Sequence, residues 1–233
     1  MNGLDVSKHH DVSFDDYKGW FEKYKKNNDV REINFQNGVV KRLISAICPD
    51  LDVENIEKKG PDSDIHDYLQ YCGTYIDQQG IEKSSTPDLV IANDWNWLNK
   101  ENSVDYRAVV EVKSPYLNQR IYNKDYEKYG EDIKNQLSCH LSAKNNDKAI
   151  LTDAMKWEFY KKNEEGNELV PVRTIELYDL IDGRGHWEWK KSEQAIVKDN
   201  VITERIVSHN EQPLVKEFED LREFTKKFLN SEN

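Results

Sequence analysis

The segment VVEVKSP, residues 109–115, sets an acid and an amine two positions apart inside a run of valines. Side chains alternate between faces in an extended strand, so Val109, Glu111 and Lys113 share one face and Ala108, Val110 and Val112 the other. The second face is apolar and belongs in a core. The first carries two charges where burial is otherwise expected, and an uncompensated buried charge costs several kcal/mol. Two arrangements could compensate it. Glu111 and Lys113 could neutralise one another as a structural ion pair, or Glu111 could ligate a divalent cation while Lys113 handles protons beside it. The second arrangement needs more carboxylates.

Asp88 supplies one, directly after Pro87 at the start of the preceding apolar run DLVIAN, residues 88–93. If that run pairs antiparallel with YRAVVEVK, residues 106–113, its beginning lies against the other's end and Asp88 approaches Glu111. Two carboxylates completed by water make an oxygen-rich octahedral set, which suits Mg²⁺ or Mn²⁺ better than zinc. Like charges at that separation repel, so such a set is costly when empty and stable when filled.

The elements that must hold these residues follow from periodicity. From Arg31 to Cys48 the residues Ile33, Phe35, Val39, Val40, Leu43, Ile44 and Ile47 recur at spacings near three and four, the pattern of a helix with one buried face, ended by Pro49 and Asp50. Residues 51–85 are rich in turn formers and read as an exposed insertion, although LDVENI could be a strand. DLVIAN and YRAVVEVK read as neighbouring antiparallel strands, and AILTD (149–153) with KWEFYKK (156–162) as a second pair. Between the pairs, residues 125–143 read as a helix with Ile133, Leu137 and Leu141 in one stripe. RTIELYDLI offers strand or short helix, and HWEWK a strand that turns Trp187 and Trp189 to the core. Residues 213–229 form an amphipathic helix whose stripe is Leu214, Phe218, Leu221, Phe224, Thr225 and Phe228. That stripe either closes the chain's own core or serves a partner, including a second copy in a homodimer.

A chain of 233 residues, 37% hydrophobic and 11% aromatic, can bury a substantial core, and its Trp, Tyr and Phe content excludes a disordered polymer despite 33% charged residues and a mean hydropathy of -0.90. No segment has signal-peptide character or the length of a membrane span, so the expectation is a cytoplasmic protein without a membrane partner. Cys48, Cys72 and Cys139 are odd in number and form no CxxC pair, which argues against a disulfide framework or a zinc knuckle. A net charge of -11 argues against broad coating of nucleic acid, although residues 113–148 carry seven Lys and Arg against five Asp and Glu. Weaker candidates are Asp62, Asp64, His66 and Asp67 as an acidic metal patch, DWNW (94–97) as a base-stacking platform, and His9-His10, most simply a tail. Adjacent Cys139 and His140 diverge on a helix and make no dyad.

The ordered set Pro87-Asp88, then Glu111-Val112-Lys113, resembles the PD-(D/E)xK nuclease motif. Glu32, near the start of the preceding helix, matches the glutamate that often completes the family's metal site. NQLSCHL followed by KAILTDAMKWEFYKK is similar to the helix and strand pair that follows the motif in the nuclease domains of type I restriction enzymes. Gln136 fits the first position of the QxxxY element there, and His140 stands where the tyrosine would be. The resemblance spans roughly residues 30–162.

It implies an α/β fold with a restriction-endonuclease-like core, a central mixed β-sheet flanked by helices; the periodicity of residues 213–229 adds a C-terminal extension ending in an amphipathic helix. The organisation expected is an N-terminal segment (1–29), a nuclease-like core (30–162) and an extension packing on it (163–233). The activity implied is Mg²⁺- or Mn²⁺-dependent hydrolysis of phosphodiester bonds in DNA, in restriction, defence or a mobile element, with restriction-system subunits as possible partners. Asp88, Glu111 and Glu32 would hold the metal, Lys113 would act on the attacking water or the phosphate, and Gln136 would position substrate or water. The rivals are a binding or regulatory protein that keeps the fold without cutting, and an acidic decoy that imitates DNA.

Overall fold

The first helix begins at a reciprocal cap. Ser13 precedes α1 (Phe14–Lys26), its Oγ accepting from the Asp16 N–H at 3.1 Å while Asp16 Oδ2 accepts from the Ser13 N–H at 3.0 Å. Phe14, Tyr17 and Phe21, at helical spacing, are buried by it. The segment expected to be an N-terminal addition therefore contributes to the core. The computed structural model describes residues 12–29, 31–55, 74–76, 81–84, 86–95, 105–115, 135–140, 146–165, 168–181, 186–191, 197–198, 201–202 and 215–231.

The helix expected over 31–48 runs over residues 32–47 as α2 (Glu32–Phe35), a π-helical segment (Gln36–Lys41) and α3 (Arg42–Ile47). Phe35, Val39, Val40, Leu43 and Ile44 form its buried stripe, while Ile33 is 41% exposed. Within the π segment, Gly38 lies against α1: a Cβ there would stand 1.9 Å from Tyr24 Oη, so the two helices approach only over a glycine.

The strands are β1 (Asp52–Asn55), β2 (Thr74–Ile76), β3 (Glu82–Ser84), β4 (Leu89–Asn93), β5 (Asp105–Val112), β6 (Lys148–Thr152), β7 (Lys156–Lys162), β8 (Leu169–Glu176), β9 (Tyr178–Leu180), β10 (Trp187–Trp189), β11 (Val197–Lys198) and β12 (Val201–Ile202). Six of them form a mixed sheet in the order β1-β4-β5-β6-β7-β8. β1, β4 and β5 run antiparallel, β6 is parallel to β5, and β7 and β8 return antiparallel. The remaining strands pair as β2 with β3, β9 with β10 and β11 with β12. Within the stretch 51–85, expected to be an exposed insertion, residues 52–55 of LDVENI form a strand of the sheet whose Val53 is buried.

Both faces of the sheet are covered. Against one lie α1, the 32–47 helix and α5 (Lys216–Asn230), in a core that includes Ala108, Val110 and Val112 of β5 together with Trp157 and Phe159 of β7. The opposite face gathers Val90, Ala92, Val109, Ala149 and Leu151 around Leu137, from the helix α4 over residues 135–140. Ile133 and Leu141, expected in its stripe, lie outside the described residues. At Ile91/Ala92 the β4/β5 register shifts so that Arg107 is extra, which turns Tyr106 to the same side as Val109. A second shift, between Phe159 and Tyr160, makes Val172 the extra residue of β8.

The stretches 1–29, 30–162 and 163–233 share one core, in which Tyr17 and Phe218 meet at 5.4 Å between ring centroids. Trp187 and Trp189 pack against it as expected. On α5, Phe218, Leu221, Thr225 and Phe228 are buried and Phe224 meets Phe159 edge-on at 4.9 Å, so the stripe closes this chain's own core and is not a face offered to a partner. Its anchorage includes the buried Lys148, whose Nζ donates to the Ser231 carbonyl at 2.7 Å just past the helix end. Cys48 and Cys139 are buried free thiols. Among the described residues no helix is long and apolar enough to cross a membrane. Phe218→Ala should lower stability by about 3–5 kcal/mol, read as a shift in the denaturant midpoint with an unchanged slope; a loss under ~1 kcal/mol would mean that α5 is not part of the cooperative core.

Candidate functional site

Leu89 pairs with Val110 across β4 and β5, and extending that register by one residue sets Asp88 opposite Glu111. Leu89 faces the core of α1 and α5, so alternation turns Asp88 to the other face, the one Glu111 shares with Val109. Asp88 Oδ2 accepts from the Val112 N–H at 2.7 Å, which fastens the two strand ends together. From the N-terminal end of the 32–47 helix, Glu32 reaches the same strand end: its Oε2 accepts from the Ser114 N–H at 3.2 Å. Glu32, Asp88, Glu111 and Lys113, distant in sequence, are therefore brought together where β5 ends.

Glu111 is held on both oxygens. Lys113 Nζ donates to Oε1 at 2.5 Å and His140 Nε2 lies 3.0 Å from Oε2. The ion pair anticipated from the i, i+2 spacing is thus formed, with both side chains buried. Three carboxylates surround the Lys113 ammonium, and the charges are unequal in their response. Burial, then the charge of Glu111, push the Asp88 carboxyl up to about 7; the Val112 N–H and Lys113 oppose this, and Glu32 adds to it. Burial alone would also raise Glu111, but the His140 hydrogen bond and the charge of Lys113 outweigh it and hold Glu111 below the usual carboxylate range. Burial would draw the Lys113 amine down, yet Glu111 first, then Glu32 and Asp88, keep it above its ordinary value. Lys113 is a charged donor here, Glu111 an ionised acceptor, and Asp88 the group that titrates near neutrality.

Among the described residues no group of three or more His, Cys, Asp and Glu side chains is assembled so that it could hold a metal ion. The reason is visible in the bonding: each carboxylate is turned to an internal donor, Glu111 to Lys113 and His140, Asp88 to Val112, Glu32 to Ser114. The donor chemistry nevertheless fits a hard cation, because three carboxylates act on one ammonium, and burial together with the charge of Glu111 raises Asp88. Such a cation must replace one of those internal partners.

Gln136 lies half-buried on α4, one turn before His140, and among the described residues it makes no hydrogen bond to Asp88, Glu111 or Lys113. Sequence reasoning missed two positioning contacts. Gln36, buried in the π segment, donates from Nε2 to the Asp88 carbonyl at 2.9 Å. It follows Glu32 by four residues, so both sit on one helix face, and that spacing was the available signal. His140 stands in the place of the QxxxY tyrosine, and its four-residue spacing from Gln136 sets it toward the same side. Trp95 of DWNW packs edge-on to Tyr106 at 5.9 Å and anchors a strand end, as a structural tryptophan would. Trp97, the patch Asp62, Asp64, His66 and Asp67, His9-His10, Cys72 and most of the 113–148 stretch lie outside the described residues.

No protein-family model matches this chain, and no curated protein or solved structure matches it either.

The raised pKa of Asp88 fixes the sign of a pH effect. Its folded value of about 7 exceeds the ordinary 3.8, so its contribution to stability is full at acid pH and is lost as pH rises through about 7. With divalent cations chelated, wild type should lose stability between about pH 5 and about pH 8, and Asp88→Asn, which keeps an acceptor for Val112 but no charge, should lose less. Denaturant midpoints across that range measure it; parallel curves for the two proteins would refute the electrostatic assignment.

Proposed function

We propose that this chain is a Mg²⁺- or Mn²⁺-dependent DNA nuclease with a restriction-endonuclease-like core, similar to the PD-(D/E)xK enzymes. The observation that carries the reading is the convergence of Glu32, Asp88, Glu111 and Lys113 at the end of β5. The sheet supports it, since a helix precedes the antiparallel β4 and β5, and α4 and β6 follow them, as the resemblance implies.

Asp88, Glu111 and Glu32 would hold the cation. When bound, it supplies Lewis acidity toward a water molecule and offsets charge growing on the scissile phosphate. Lys113, charged and tethered to Glu111, acts as a donor that neutralises phosphate oxygens or orients the attacking water; its raised pKa disfavours the general-base role. The Asp88 carboxylate, fastened to Val112, keeps the two strand ends at fixed separation while substrate enters. Gln136, on the flanking helix, is assigned to positioning substrate or water. DNA is the partner, the compartment the cytoplasm, and the setting restriction, defence or a mobile element, with companion restriction subunits or a second copy of the chain supplying what this chain lacks.

One observation favours a second reading. Both oxygens of Glu111 are occupied by protein groups, as a binding or regulatory protein that retains the fold without cutting could tolerate.

Plasmid and single-stranded DNA incubated with Mn²⁺ separate the two. The nuclease should nick or degrade DNA, with Asp88→Ala, Glu111→Ala and Lys113→Ala each lowering the rate by at least about 100-fold. Mn²⁺ should also raise the melting temperature of wild type but not of Glu111→Ala. Cleavage undiminished in Lys113→Ala removes the mechanism, and a protein that neither cuts nor responds to Mn²⁺ favours the binding reading.

A further inference from the structure

His140 is completely buried on α4, and the peptide that carries it is fixed, since its carbonyl accepts from Asn146 Nδ2 at 3.0 Å. Its ring makes one hydrogen bond among the described residues, Nε2 to Glu111 Oε2 at 3.0 Å, and Nδ1 is buried without a partner. An ionised carboxylate can only accept, so Nε2 carries a proton, and Glu111 is the ring's one hydrogen-bond partner among the described residues. The other oxygen, Oε1, is bound by Lys113, whose long flexible stem emerges just past the end of β5. Of the two partners, the rigid and enclosed one is the histidine.

We propose that His140 is the positioning residue of the metal centre: it pins Glu111 through Oε2, so that Oε1, the oxygen on Lys113, is the one turned to an incoming cation. The inference rests on the metal-dependent reading above and adds a residue that acts on Glu111 without touching substrate. A cation on Oε1 would share that oxygen with Lys113 or displace it, while the bond from His140 to Oε2 would be kept. A carboxylate held at one oxygen loses less rotational freedom when the other binds, and groups that hold a ligand this way commonly govern metal affinity.

The test uses the full-length chain and Mn²⁺ alone. Binding is measured by calorimetry on wild type, His140→Ala, His140→Gln and, as a packing control, Leu137→Ala, which removes a buried side chain from the same helix. His140→Ala should weaken Mn²⁺ binding about 10- to 100-fold, and His140→Gln, whose amide can still donate to Glu111, should recover most of it. Leu137→Ala should lose stability while binding Mn²⁺ as wild type does. Ring-nitrogen NMR of wild type should show His140 protonated at Nε2, with its resonances displaced in Glu111→Ala. Unchanged Mn²⁺ affinity in His140→Ala, equal weakening in Leu137→Ala, or an Nε2 without a proton overturns the proposal while leaving the metal centre standing. A wild-type protein that binds no Mn²⁺ brings down the metal centre itself, and this inference with it.

Discussion

The Lys113 ammonium is the charge on which the end of β5 depends. Three acidic side chains, Glu32, Asp88 and Glu111, are drawn to one place by a helix start and two strand ends, and their mutual repulsion would oppose burial without a cation among them. Lys113 fills that role from within the chain. The arrangement remains electrostatically unfinished: burial first, then the charge of Glu111, push Asp88 up despite the ammonium beside it. An added divalent ion would relieve what the lysine leaves over, and this is the physical sense in which the site suits a cation that its own hydrogen bonds now exclude.

Backbone groups do much of the positioning. Val112 and Ser114 lend their N–H groups to Asp88 and Glu32, and these are donors that the ladder leaves available where β5 ends. The parallel neighbour β6 fixes the same stretch from the other side, its Thr152 carbonyl accepting from the Lys113 N–H at 2.8 Å. Gln36 then ties the π segment to the Asp88 carbonyl, so that a helix irregularity and a strand terminus are locked to one another. Preorganisation of this kind depends on rigid elements rather than on loops.

What could be read from the chain was governed by the range of the physics involved. Period-two alternation put Glu111 and Lys113 on one face and Val110 and Val112 on the other, because pleating is local. Antiparallel pairing of DLVIAN with YRAVVEVK then brought in Asp88. The Phe218 to Phe228 stripe was equally plain, although only the packing decides that it covers this chain's own sheet. α1 is written in the chain by Ser13 and Asp16, its cap, and by Phe14, Tyr17 and Phe21, its stripe, but that stripe is short and set among polar residues. LDVENI was judged by the turn formers after it, while its place in the sheet comes from pairing with β4, a contact across more than thirty residues that no local pattern carries. The π segment, the extra residue at Arg107 and the hold of His140 on Glu111 are likewise products of tertiary packing.

The outer border of the sheet has its own consequence. β8 is eight residues long, and with Val170 and Val172 substantially exposed it would ordinarily invite another chain to add a strand. Pro171 offers no amide hydrogen, and the extra residue at Val172 breaks the spacing that a visiting strand would need to match. The opposite border, β1, is only four residues long and bears Asp52 and Glu54. Among the described residues, both borders of the sheet therefore carry features that discourage the addition of a strand from another molecule.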